Sequence, residues 1–393
     1  MNDSRQWLQQ CWFASRLAWR QLTFGKAKLL AAVLGVVFAA VLVYFQTGFR
    51  DSLYASMALA PSKVAGDLFL VHRQSEAFWR TVSFPRSELM RAMAHPDVVE
   101  VVPLYMNLTP FRNPITRQQR TIFVFGYDPA SNLMRLPEVI AMRDALKQPD
   151  TAVFDRTSRP EFGPLPSLLA NGSVTTEMND RKVSMIGLFT LGNTFSADGN
   201  IVMSDLNYFR LFPHLNPDRV DLGVIRIRPG ADAVAVQRAL AQNVTDNVYL
   251  FTYPEMVAHE RNYWQEAVPI GFIFGFGMVM GLVVGMVIVY QILFTDITNH
   301  LSQYATLSAM GYSHGYLLQV VFASAIILAV LGFVPGTLLA WWVYDYSESK
   351  TYMSMPMPFS KIISIFGMIL TMCALSGALA IRKLRAVDPA DMF

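Results

Sequence analysis

Ile270 to Leu293 reads IGFIFGFGMVMGLVVGMVIVYQIL, two dozen residues without a charge. A helix of about 20 apolar residues, at roughly 1.5 Å rise each, crosses a hydrocarbon core of about 30 Å. Lipid offers main-chain polar groups no partner, so a segment of this kind spans as a helix or not at all. Leu29 to Phe45, Tyr316 to Tyr344 and Ile362 to Ile381 are further apolar runs. The chain is 53% hydrophobic and 16% charged, whereas soluble proteins carry about 25% charged residues. Its mean hydropathy of +0.32 is still too low for a chain made only of spans. The expected fold class is an α-helical membrane protein with four transmembrane helices, plus a large α+β extracytoplasmic domain between helices 1 and 2.

The expected order is an interfacial amphipathic helix over 1–27, transmembrane helix 1 over 28–49 and an outer domain over 50–267. Transmembrane helix 2 (268–293), a cytoplasmic loop or short helix (294–315) and transmembrane helix 3 (316–344) follow. An outer loop (345–361), transmembrane helix 4 (362–381) and a cytoplasmic tail (382–393) complete the chain. In the first segment Leu8, Trp12, Ser15, Trp19 and Leu22 share one helical face, with Arg16 and Arg20 elsewhere. Trp and Arg in this pattern suit a helix lying in the membrane interface; a soluble helix packed on a neighbouring subunit is the alternative. Ala58-Leu59-Ala60 resembles a signal-peptide cleavage site but lies well beyond the first apolar run, so that run reads as an uncleaved span. Five Lys or Arg precede it and Arg382, Lys383 and Arg385 follow the last span, which places both termini in the cytoplasm and the large domain outside.

Within the outer domain, strand-like Gly66–His72, a helix over Ser87–Ala94 and strand-like Val98–Leu104 are matched later by Leu222–Arg228, a helix over Ala231–Asn243 and Val248–Thr252. These repeated units suggest one subdomain split over 62–106 and 221–253, interrupted by a β-rich insertion over 107–220. The insertion carries Thr121–Phe125, Lys182–Leu191 and Asn200–Met203, separated by turns rich in Gly, Pro, Asn and Asp. A helix over Glu255–Trp264 leads into the second span. The two cysteines, Cys11 and Cys373, lie outside this domain, so disulfides do not hold it.

The chemistry of the chain is sparse. Gly25-Lys26 lacks the P-loop glycine five positions earlier, where Arg20 stands. His259-Glu260-Arg261-Asn262-Tyr263 starts like a zinc-protease helix, but Tyr263 occupies the second ligand position. No catalytic, cofactor-binding or metal residue is therefore assigned, and no basic cluster suggests nucleic acid. The spans lack the ionisable residues of an ion or proton path. Gly277, Gly281 and Gly285 recur every fourth residue and form a bare stripe on which another helix can pack, within one subunit or across a dimer seam.

Tyr304-Ala305-Thr306-Leu307-Ser308-Ala309-Met310-Gly311 resembles the cytoplasmic signature of the MacB- and FtsX-type permease subunits, a short helix ending in a Leu-x-Ala-x-Gly turn. One span, a large outer domain and three more spans is also their layout. More closely, the chain resembles the DevC type of MacB-like permease. The matching pieces are Phe49-Arg50-Asp51, Gly66-Asp67-Leu68, Val124-Phe125-Gly126, Arg159-Pro160-Glu161-Phe162-Gly163-Pro164, Gly187-Leu188-Phe189-Thr190-Leu191-Gly192, Ala197-Asp198-Gly199-Asn200, Val289-Tyr290-Gln291-Ile292-Leu293 and Asp388-Pro389-Ala390-Asp391. Where this family often has an acidic residue before the Tyr, the chain has Gln303.

The resemblance implies an inner-membrane homodimer without its own ATPase site, working with a separate ABC-type ATPase that binds ATP and Mg. That partner would grip Gln303, Tyr304, Ala305, Thr306, Leu307, Met310 and Gly311. Its closure would move the periplasmic domains, driving substrate into a membrane-fusion adaptor and a TolC-type outer-membrane channel. An FtsX-like signalling subunit controlling a cell-wall hydrolase is the alternative, and a membrane-anchored enzyme is a third.

Overall fold

The computed structural model describes residues 2–131, 133–192, 197–267, 269–300 and 314–384. It divides into two compact units. One is built from Met1–Asp51, Ile270–Thr351 and Met355–Phe393, the other from Ser52–Pro269 with Tyr352–Ser354.

The first unit is helical. Helix α1 covers Asn2–Phe24, and α2 begins at Lys26 and runs to Lys63. Among the described residues, four helices are long and apolar enough to cross a membrane, α2 and three later ones described below. In α1 the buried face is Ala14, Ala18 and Leu22, while Trp12 and Trp19 are exposed. Leu22 lies at the buried edge of the arc that carries the two tryptophans. Small side chains allow close helix approach, so the alanines turn inward and the bulky rings stay outside.

The second unit holds an α/β sheet. Its strands are β1 (Leu68–His72), β2 (Phe84–Pro85), β3 (Val98–Arg112), β4 (Gln119–Tyr127), β5 (Thr151–Asp155), β6 (Val174–Met178), β7 (Arg181–Phe189), β8 (Asn200–Ser204), β9 (Arg219–Val220), β10 (Leu222–Ile227) and β11 (Val248–Thr252). Helices α3 (Arg86–Arg91), α4 (Pro137–Ala141), α5 (Leu165–Leu169), α6 (Asp205–Leu211), α7 (Ala233–Ala241) and α8 (Tyr253–Ala267) connect them. β2 and β9 pair as a separate two-stranded ribbon; the other nine strands follow the order β11-β1-β10-β3-β4-β8-β5-β7-β6, and the row curls back so that Phe111 on β3 pairs with Met178 on β6. Leu68 and Leu70 of β1 enter one core with Leu89, Val236 and Leu240; Phe69 and Val71 enter another with Phe78, Val102 and Met256. Alternation sends successive side chains to opposite faces, and a strand covered on both faces reads as one apolar run, as LFLV does.

Strand β3 is the seam of the sheet. Val98 to Leu104 pair with β10, and Tyr105 to Arg112 pair with β4. The boundary expected at 106/107 therefore falls inside one continuous strand. Pro103 and Pro110 sit on stretches whose long ladder lies on one side, where a missing N–H is tolerated.

The remaining helices return to the first unit: α9 (Ile270–Asn299), α10 (His314–Thr351) and α11 (Phe359–Leu384). Their core, with α2, includes Val36, Ala39, Val43, Val289, Leu293, Leu328, Ile365 and Ile369.

Candidate functional site

The glycines of α9 face α2 of the same chain. A Cβ on Gly281 would lie 2.7 Å from Leu42 Cδ2, and one on Gly285 would lie 2.6 Å from the Ala39 Cβ and 2.7 Å from Met372 Sδ. One on Gly277 would run into the side-chain amide of Gln46. Of the two settings left open for this stripe, packing within the chain is thus occupied. The fit is reciprocal: Gly35 of α2 leaves room for Ile288 of α9. On the other flank Gly332 and Gly336 of α10 meet Val36 and Ala40, the latter at 3.0 Å from an added Cβ. Two glycine rows therefore embrace the first span. Ser376 on α11 donates to the Met286 carbonyl at 3.0 Å, a polar tie of the kind that joins helices in lipid.

Helix α9 continues past Leu293, where the apolar run ends, to Asn299. Its 30 residues reach about 45 Å, half as long again as a hydrocarbon core. Within the polar extension Thr295 and Thr298 donate back to the carbonyls of Gln291 and Phe294, each at 2.8 Å, so their hydroxyls are satisfied inside the helix. Ile297 is buried, and His300 Nδ1 lies 3.4 Å from Asp296 Oδ1. Gln303, Tyr304, Ala305, Thr306, Leu307, Met310 and Gly311 lie outside the described residues. What is described is the pair of helices between which they fall, α9 and α10.

A second cluster in this unit has little sequence signal. Tyr344 donates to the Tyr44 carbonyl, the Tyr44 hydroxyl lies 3.2 Å from Thr337 Oγ1, and the Tyr344 ring fills the space a side chain at Gly48 would need. Next to it, Asp51 pairs with Arg50 at 2.9 Å and with Lys361 of α11 at 3.1 Å. Arg50 and Asp51 belong to a motif noted above; Lys361 does not, and only the fold brings it there.

In the sheet unit, motifs some 40 residues apart meet. Asp198 accepts from Arg120 at 2.6 Å and pairs with Arg159 at 2.9 Å, while Arg120 also lies 3.5 Å from Glu161. Fully buried Asp155 accepts from Thr157 Oγ1 at 2.6 Å, Asn200 Nδ2 at 2.9 Å, and the amides of Leu191 and Gly192 at 3.3 Å. Gly126 gives α6 a close seat, since a Cβ there would lie 2.6 Å from Tyr208. These residues fasten strands and turns together.

Glu260, from the protease-like run, is buried and accepts from the Phe78 amide at 2.6 Å and Trp264 Nε1 at 2.8 Å. Burial pushes its carboxyl above the usual range. His259 stacks on Phe251 at 5.0 Å, so neighbouring residues of this run serve packing. Asp221 is pushed up to about 6 by burial, against the opposing hydrogen bond from the Met106 amide. Asp150 is held well below the usual range by hydrogen bonds from Arg181 and Arg210.

Residues 275–389 match the family model described as FtsX-like permease C-terminal. This stretch is similar to an FtsX-like permease C-terminal domain. It takes in most of α9, the candidate coupling residues, α10 and α11. No curated protein matches the chain in sequence. Among solved structures, the periplasmic region of MacB from Actinobacillus actinomycetemcomitans is similar over 49% of this chain and 92% of its own, at 9% identity and a TM-score of 0.36. The extracellular domain of the noncanonic ABC-type transporter YknZ from Gram-positive bacteria is similar over 48% of this chain and 99% of its own, at 11% identity and a TM-score of 0.34.

Proposed function

We propose that this chain is the membrane subunit of a MacB-like ABC exporter, of the DevC type, and that a separate ATPase subunit binds ATP and Mg and hydrolyses the nucleotide. The observation that carries this reading is the FtsX-like match over the helices on either side of Gln303–Gly311. In this reading the ATPase seats that segment, and its closure moves α9 and α10. Two copies of the chain form the working dimer. Motion of the sheet unit, on the periplasmic side of an inner membrane, drives substrate into an adaptor and an outer-membrane channel. Arg5, Arg16, Arg20, Lys26 and Lys28 before the apolar run Leu29–Phe45, and Arg382, Lys383 and Arg385 just after Ile362–Ile381, support cytoplasmic termini.

The test is affinity purification of the tagged protein from gently solubilised native membranes, with ATPase assayed on the eluate. Recovery of an ABC ATPase together with a membrane-fusion adaptor supports the exporter. An ATPase with a cell-wall hydrolase or its regulator, and no adaptor, would replace export by signalling. An intact protein that brings down no ATPase would overturn both.

A further inference from the structure

Helices α1, α2 and α10 leave a groove of about 530 Å³ on the surface of the membrane unit. Its walls are Leu29, Leu30, Val33 and Leu331, with Trp19, Thr23 and Lys26 at the other end. Leu30 is 59% exposed and Trp19 46% exposed, so neighbouring helices leave the groove open. Three of its wall residues belong to a helix long and apolar enough to span, which sets the groove against hydrocarbon rather than water.

The direction of the groove follows from two contacts. Val320 of α10 packs with Ala14 and Ala18 of α1, and Leu331 lies eleven residues further along α10. That separation is about 16 Å along a helix axis, comparable with half of a bilayer's hydrocarbon thickness of roughly 30 Å. One end therefore lies at headgroup level, marked by Trp19 and Lys26, and the other reaches the depth of an acyl chain. An indole at that level is a normal interfacial anchor. The cationic end is not isolated. Residues 1–28 hold Arg5, Arg16, Arg20, Lys26 and Lys28 against the single acid Asp3.

We infer that this groove seats one anionic phospholipid, its phosphate against Lys26 and an acyl chain along Leu29, Leu30, Val33 and Leu331. The apolar wall demands a chain, which a free phosphate lacks. The basic charge around the polar end favours a net-negative headgroup over a zwitterionic one, by about fivefold per cation near the surface.

The full-length protein, purified in mild detergent and delipidated, is incubated with phosphatidylglycerol or phosphatidylcholine and bound lipid is counted by native mass spectrometry. Wild type is expected to retain one phosphatidylglycerol in preference to phosphatidylcholine, and excess inorganic phosphate should not displace it. Lys26→Gln should lower phosphatidylglycerol retention about fivefold, and Leu30→Trp should remove the retained lipid by filling the groove. Equal retention of both lipids by wild type would overturn the inference. Undiminished retention by Lys26→Gln would do so too, and this exposed substitution decides the matter even where the bulkier one disturbs folding.

Discussion

The phenolic hydroxyl of Tyr344 donates to the main-chain carbonyl of Tyr44 at 2.5 Å, joining two helices whose sequences lie 300 positions apart. The same ring lies where a side chain at Gly48 would project. Tyr344→Phe removes one hydrogen bond and keeps the ring, at a cost of about 1 kcal/mol. Gly48→Ala forces the ring aside and costs about 1–3 kcal/mol. Thermal unfolding of the detergent-solubilised protein should rank wild type above Tyr344→Phe and that above Gly48→Ala. Combining Gly48→Ala with Tyr344→Ala should be less harmful than the sum of the two, because the clash then has no partner.

The stripe on α9 makes a graded prediction. Gly285 faces both Ala39 and Met372, whereas Gly281 faces the flexible end of Leu42. Gly281→Ala should cost about 1 kcal/mol and Gly285→Ala more, toward 3 kcal/mol. A cysteine pair at Gly281 and Leu42 should cross-link within one chain. Cross-linking only between chains would reverse the packing described for this stripe.

For the segment proposed to seat an ATPase, Leu307→Asp with Met310→Asp should abolish stimulation of that ATPase while insertion and thermal stability stay unchanged. An apolar knob seated in a partner groove does not tolerate a buried, unpaired charge. Wild-type coupling in this double variant would remove both residues from the contact.

Asp155 should resist even its isostere. Asp155→Asn turns one acceptor oxygen into a donor facing Asn200 Nδ2 or the amides of Leu191 and Gly192. Leaving buried donors unsatisfied costs about 1–3 kcal/mol. Thermal unfolding of the variant should then begin at a lower temperature than that of wild type.

Two carboxylates of the sheet unit give pH dependences of opposite sign. Asp221 titrates at about 6 in the folded chain and near 3.9 when unfolded, so the folded state holds the extra proton in between. Its contribution to stability falls as pH rises from about 4 to 6 and remains lower above. Asp150 is lowered instead, by Arg181 and Arg210; its contribution is present above about pH 4 and lost as pH falls through the folded value. Asp221→Asn should therefore raise the unfolding temperature more at pH 7 than at pH 4.5. An equal change at both would show that burial of this carboxylate carries no ionisation cost.

The spans were legible because each is an uninterrupted apolar run, and β11 could be read at its observed bounds from Val248-Tyr249-Leu250-Phe251-Thr252. Strand β3 was readable only to Leu104: Pro103 and Pro110 weaken the local signal, and only its two one-sided ladders explain why it continues. Strands β5 and β6 left no comparable trace, since Thr151–Asp155 and Val174–Met178 are short and defined by their neighbours. The same limit hid the site contacts. Nothing near Tyr44 points to Tyr344, and nothing near Asp51 points to Lys361. Gln303 to Gly311 were singled out only by resemblance, because fitting a partner requires no chemically distinctive residues.

Strand β3 also limits how this protein can be recombined. Its first half belongs to the ladder with β10 and its second to the ladder with β4, so no cut between the two yields a piece with a complete edge. A chimera exchanging only the insertion with a homologue would splice two foreign sheets inside one strand. Inheritance of the sheet as a whole, grafted near residues 52 and 269, is the exchange that keeps every ladder intact, and recombination among relatives should follow that larger block.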